Sequence, residues 1–451
     1  MPKQTHFLLI ISILIFSAAS SQPDTTGKPV KAKKEKIKKG WTFGALPVVA
    51  YDADMGFQYG ALAQFFDYGD GTIYPDYRHT FYVEVSRFTK GSGVNQLFYD
   101  SKYLIPGHIR ITADLDYLTE RALDFYGFNG YEARYDPDVT DEESDDYISR
   151  VYYKHERLML RAMADFQGRI IGEKLRWLAG VNYFNIKTGT VDIDRMNKGK
   201  KEEKKLPEVP LLYDDYVSLG LISEDEKSGG SHTIIKAGLI YDTRDNEAAP
   251  NKGIWSEVLF MVAPAFLSNS EHGFTQLAVA HRQYLTLYPK QLVFAYRVAY
   301  QGTIAGTAPF YIQPYLFTSY ALTTKPDGLG GSRTIRGVLR NRVVGDGAVN
   351  ANVELRWRFW QTFLFKQNFY LGLVGFFDAG MVVQDRPDDI TEVTGDHSFY
   401  FDNSSDTPHF GTGIGLRAAL NENFLISADY GFALDKRDGT SGLYIGIGHI
   451  F

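Results

Sequence analysis

Cysteine does not occur in this chain, so any chemistry must come from histidine, serine, carboxylate or arginine side chains. That absence removes thiolate metal sites, cysteine nucleophiles, disulfides and the lipidated cysteine of a lipoprotein. The ten histidines are scattered without metal-ligand spacing, and no G-x-S-x-G elbow presents a nucleophilic serine. GTGIG (Gly411 to Gly415) lies in a strand pattern rather than ahead of a helix, so it is not read as a phosphate cradle. No catalytic residue, metal or cofactor is therefore assigned. A Ser/His pair brought together across strands is the enzymatic arrangement that spacing alone leaves open. A net charge of −6 gives no electrostatic case for nucleic acid.

What the charged residues do show is alternation. In Ile109 to Tyr117, Arg110, Thr112, Asp114 and Asp116 interleave with Ile109, Ile111, Ala113, Leu115 and Tyr117. Arg157, Arg161, Asp165 and Gln167 alternate in the same way with Leu158, Leu160, Ala162, Ala164 and Phe166. From Val349 to Phe359, Asn350, Asn352, Glu354, Arg356 and Arg358 share one face. Successive residues of a strand point to opposite sides, so each segment has one charged and one apolar face.

Such strands need a wet side and a greasy side. A soluble sandwich also alternates, but it does not need strands of ten or so residues repeated along most of a chain this long. Aromatic residues make up 15% of the chain, with 30 Tyr and 31 Phe, while hydrophobic residues reach only 44%. After the first twenty positions no apolar run approaches the roughly 18 residues of a membrane helix. The fold class expected is all-β: a transmembrane antiparallel β-barrel of about sixteen strands with long extracellular loops. Short turns at 105–108, 169–173, 287–291 and 420–423 alternate with long connections near 118–150, 189–231, 304–346 and 384–408, which places the long ones on one side. Acidic Asp136 to Asp146 and Lys-rich Lys198 to Lys205 read as solvated loop charge.

Residues 1–21 read as a secretory signal, with Lys3 and His6, an apolar stretch Phe7 to Phe16, then Ser17 to Ser21. Residues 22–40 are polar and Lys-rich and read as a flexible periplasmic tail, and 41–451 form the barrel.

Four stretches give the chain a resemblance. YDTRDNEAAPNKG (Tyr241 to Gly253) is a strand end and a Pro/Gly turn; GGSRTIRGVLRNRVVGDG (Gly330 to Gly347) contains IRGV; NVELRW (Asn352 to Trp357) and GFFDAG (Gly375 to Gly380) follow. In this order and spacing they resemble the BamA/TamA family of outer-membrane assembly barrels, also called the bacterial surface antigen family. The first is similar to the family's D-x-R-D/N…P-x-x-G turn and marks Asp242, Arg244, Asp245 and Gly253, although these are also ordinary turn residues. The second resembles the tip of the family's sixth extracellular loop, which folds into the lumen. The resemblance implies that Arg336, beside Gly337, meets acidic partners in the next two strands, here Glu354 and Asp378, with Gly380 close by. Strand parity points both carboxylates inward, and a guanidinium in a narrow lumen is best satisfied by bidentate carboxylates. Two features depart from the family: Val338 replaces its usual aromatic, and no polypeptide-transport (POTRA) domain is expected ahead of the barrel. The final stretch GLYIGIGHIF, ending in Phe451, resembles the aromatic-terminated strand by which such barrels are recognised for assembly, and Gly446 and Gly448 fit a loose seam.

The expectation is a non-enzymatic barrel in a bacterial outer membrane that assists insertion or assembly of other outer-membrane proteins. Its partners would be membrane lipids, unfolded barrel clients and a periplasmic accessory protein. A passive or selective channel, or a structural partner of an envelope complex, are the alternatives.

Overall fold

The computed structural model describes residues 37–451, apart from 53–55, 75, 108, 269–272, 320–327, 365–366, 387–396, 403–404 and 421–423. The signal segment and most of the Lys-rich tail lie outside the described residues.

Sixteen strands form one antiparallel sheet in chain order. They are β1 (Trp41–Asp52), β2 (Gly56–Asp67), β3 (His79–Phe88), β4 (Gly93–Ile105), β5 (Ile109–Asp124) and β6 (Lys154–Ile171). Next come β7 (Leu175–Gly189), β8 (Gly230–Asp242), β9 (Gly253–Ala263), β10 (Phe274–Tyr288) and β11 (Leu292–Gly306). The last five are β12 (Gly347–Leu364), β13 (Gln367–Gln384), β14 (His409–Leu420), β15 (Phe424–Ala433) and β16 (Ser441–Ile447). Two short helices, α1 (Ile193–Asn197) and α2 (Leu212–Ser218), sit in the β7–β8 loop. Among the described residues no helix is long and apolar enough to cross a membrane.

The alternation read from the sequence sets which face is which. On β5, Arg110, Thr112, Asp114 and Asp116 are buried, whereas Leu115 and Tyr117 are exposed. Val85, Leu97, Leu160, Ile235, Phe260, Val298, Leu355 and Leu416 are likewise exposed. This is an inverted soluble protein, polar inside and apolar outside, and lipid is the solvent that suits it. Odd-to-even connections lie at one end and even-to-odd connections at the other, which groups the four long loops as their parity predicts. The rule of short turns at the other end has exceptions at 68–78 and 243–252.

The sheet wraps around the 307–346 loop. Arg340 of that loop pairs with Glu120 of β5 at 2.8 Å, and the Tyr315 hydroxyl meets Arg161 of β6. Thr318 Oγ1 donates to Glu257 of β9 at 2.9 Å, and the Gly337 amide donates to Tyr444 of β16 at 3.0 Å. One loop touching strands from β5 to β16 requires the curved wall of a barrel. The described ladders end at β1 and β16, each paired on one side only. The loops also do more than carry solvated charge: Phe125, Phe128, Tyr152, Tyr213, Tyr216 and Phe310 come from three of them and pack into a buried aromatic cluster.

Candidate functional site

Arg336 has no solvent exposure. It reaches its place because the 307–346 loop turns back into the barrel, packing Ile335 and Val338 against Leu329, Val343 and Val382. Val338, a departure from the usual aromatic of the family the chain resembles, thus fills an aliphatic niche. The Arg336 guanidinium forks onto Asp378 of β13, with Nε to Oδ2 at 2.8 Å and Nη2 to Oδ1 at 3.0 Å, and its own backbone amide adds a third bond at 3.1 Å. Nη1 donates to Glu354 Oε1 of β12 at 2.8 Å. The guanidinium also lies 3.5 Å from the centroid of the Phe376 ring. Planar stacking and bidentate pairing are what arginine offers over lysine.

A third carboxylate, Asp429 of β15, stands 3.4 Å from Nη1. Arg356 pairs with Glu354 at 2.7 Å and Arg417 with Asp429 at 2.6 Å, so three guanidinium groups are paired with three carboxylates. Asn352 ties it to the loop, donating to Asp378 at 2.8 Å and to the Thr334 carbonyl at 2.6 Å. Buried charge is tolerated only when paired and hydrogen-bonded to this degree.

Glycines make the approach possible. Gly337 has φ of +102°, and a Cβ there would sit 2.3 Å from the Phe432 backbone carbon. A Cβ on Gly411 of β14 would fall 2.1 Å from the Arg336 carbonyl oxygen, and one on Gly431 of β15 would fall 2.7 Å from its carbon. Gly380 leaves room for Ile335, whose Cδ1 would lie 2.9 Å from an added Cβ.

Arg336, Gly337, Glu354, Asp378 and Gly380 thus meet in one place. Asp429, Arg417 and Phe376 were missed, though their inward parity on β13 to β15 was readable by the same alternation. The turn motif is elsewhere, at the opposite mouth with the start of β1 and the C-terminal residues. There Asp242 accepts from the Arg244 Nε at 3.0 Å, Asp245 Oδ1 accepts from the Asn251 amide at 2.9 Å, and Gly253 has φ of +106°. Arg244 stacks 4.4 Å over Trp255. Glu247, which the motif did not single out, carries this turn across the mouth to Lys102 at 3.0 Å and Arg110 at 3.3 Å. Burial opposes its ionisation, but Arg110, Lys102 and Arg244 hold its carboxyl well below the usual range.

Phe451 is not the end of a strand. β16 stops at Ile447, Gly448 takes φ of +84°, and the last residues turn into the lumen. Phe451 is buried with Tyr284, Val293 and Ala295, and its backbone oxygen accepts from Arg356 Nη2 at 3.0 Å. Among the described residues no cluster of histidine, aspartate or glutamate is placed to hold a metal ion.

A sixteen-stranded barrel with a polar interior, an inward loop and a buried arginine at its tip defines a class of protein. The Omp85 superfamily domain matches residues 129–451, and the chain belongs to that superfamily. No curated protein sequence matches it. Among solved structures it is similar to BamA from Haemophilus ducreyi lacking POTRA domains 1-3, at 14% identity and a TM-score of 0.50, over 91% of this chain and 70% of that one. It is also similar to CdiB from Escherichia coli, at 11% identity and a TM-score of 0.51, over 90% of this chain and 62% of that one. At these identities the likeness is one of fold.

Proposed function

We propose that this protein is an outer-membrane barrel that handles unfolded polypeptide, inserting or assembling other barrel proteins. The observation that carries the reading is the pair of sheet edges, β1 and β16. β1 and β16 each have one described ladder partner, and β16 is held by a register of only seven pairs with β15. An unpaired edge is a template for an incoming strand, whose backbone supplies the missing hydrogen bonds. The loop and the inward tail restrain this edge through Gly337 on Tyr444, through Arg333 Nη1 on the His449 carbonyl at 3.3 Å, and through Arg356 on Phe451. Movement of the loop would therefore be felt at β16 directly.

The channel reading is disfavoured because the loop occupies the lumen from β5 to β16. Passage of a polypeptide through the lumen is a second reading, favoured by the polar wall that a withdrawn loop would leave. The protein reconstituted in liposomes is expected to speed folding of an unfolded client barrel, with Arg336→Ala impaired. Steady ion-selective conductance without acceleration would reject the insertion reading.

A further inference from the structure

His409 opens β14 at the extracellular end, and its side chain is wholly buried. Both ring nitrogens face carboxylates: Nδ1 lies 2.7 Å from Asp438 Oδ1 and Nε2 lies 2.9 Å from Asp406 Oδ1. An ionised carboxylate can only accept, and a neutral imidazole has a single N–H, so two such contacts require the doubly protonated ring.

The carboxylates are themselves committed as acceptors. Asp406 takes the Tyr131 amide at 2.9 Å and the Val382 amide at 2.8 Å, and Asp438 takes the Tyr131 hydroxyl at 2.7 Å. Burial opposes ionisation of Asp406, but the bond from His409 and the two amides keep its carboxyl below the usual range. The Tyr131 ring stacks 3.9 Å from the imidazole, and Arg437 lies 3.7 Å from the same tyrosine ring. Among the innermost groups a cationic histidine evens the charge: Arg342 is 3.8 Å from Asp438 and Arg437 pairs with Asp435 at 2.7 Å, so His409, Arg342 and Arg437 face Asp406, Asp438 and Asp435. Glu132, Asp385 and Lys436 stand at the edge of this cluster, more open to water.

Four loops meet here, and one of them bears the arginine motif. The Asp438 carbonyl accepts from the Leu339 amide at 2.9 Å, three residues past Arg336. Arg342 of the same loop donates to the Gly130 carbonyl at 2.9 Å and to the Ala133 carbonyl at 3.0 Å.

We propose that His409 is a buried imidazolium clasp that fastens the β5–β6, β13–β14 and β15–β16 loops to the arginine-bearing loop, and that losing its proton unfastens them. A neutral ring turns a lone pair toward one of the two carboxylates, so Asp406 or Asp438 is released. The β15–β16 loop then loosens from Leu339. At the acid end the clasp is lost only when the carboxylates protonate, below about pH 4 for an ordinary aspartate. Tyr131 does not compete at alkaline pH, because burial and then its bond to Asp438 push its hydroxyl well above the ordinary tyrosine range.

The test uses the full chain in nanodiscs with 15N-labelled histidine. Both His409 ring nitrogens are expected to be protonated near neutral pH. Protection of the Leu339 amide, corrected for intrinsic exchange, is expected to fall by about tenfold per pH unit from the ordinary histidine value of about 6.5 up to the pH at which the docked ring loses its proton. His409→Gln is expected to show the loosened cap at every pH and no such dependence. A singly protonated ring near neutral pH would overturn the proposal, as would an identical pH profile in parent and variant. Should the glutamine variant not fold, the ring titration of the parent decides alone.

Discussion

Replacing Arg336 by alanine removes the guanidinium that Asp378, Glu354 and Asp429 share. Arg356 and Arg417 remain paired with Glu354 and Asp429, so Asp378 is left without a direct ion-pair partner. Removing one partner of a buried pair costs roughly 3 to 5 kcal/mol, because the other charge stays buried without compensation. With two arginines still in place the lower end, about 3 kcal/mol, is expected. The loss falls on loop docking rather than on the strand ladders, whose backbone bonds do not involve this side chain. At about 1.4 kcal/mol per decade, the loop should open roughly a hundredfold more often, read as faster hydrogen exchange at the Arg336, Val338 and Leu339 amides and faster proteolysis within 328–346. Arg336→Lys keeps the charge but not the fork on Asp378 or the stacking on Phe376, and should recover only part of the loss. In the double variant with Asp378→Asn the two effects should be less than additive. Exchange and cleavage at parental rates in Arg336→Ala would refute the electrostatic account.

Gly411→Ala places a methyl 2.1 Å from the Arg336 carbonyl and should destabilise the docked loop by about 1 to 3 kcal/mol, seen as a lower temperature of conversion to the unfolded gel band. Phe451→Ala empties the niche of Tyr284, Val293 and Ala295; a loss near 3 kcal/mol is expected, with a cysteine placed at position 449 becoming reactive to a polar thiol reagent. Glu247 sits below its usual ionisation range when folded, so its contribution is present above about pH 4.3 and lost as pH falls through the folded value. Protection of the Ala249 amide, which the non-titrating Asn246 side chain accepts at 2.8 Å, corrected for intrinsic exchange, should therefore fall on acidification, and Glu247→Gln should remove that fall.

Strand alternation made the wall legible: the charged face of β5 and the inward turn of Glu354 both follow from a two-residue period. Connection parity placed the loops for the same reason. The pairing of Arg336 with Asp378 spans 42 residues and has no local signature, so only the resemblance of the surrounding stretches pointed to it. Asp429 was overlooked because no motif flags it, though Ser427 and Gly431 share its face. The inward turn of Phe451 depends on the positive φ at Gly448 and on arginines from distant strands, which periodicity does not encode. His409 looked like any scattered histidine, since its carboxylate partners come from two different loops.

The central claim is that the β1–β16 seam opens for polypeptide. Because the chain has no cysteine, a single disulfide between β1 and β16 can be introduced and reduced at will. In liposomes with an unfolded client barrel, the account predicts that the oxidised protein does not accelerate client folding and that reduction restores it. Equal acceleration in both states would contradict the seam as the working part.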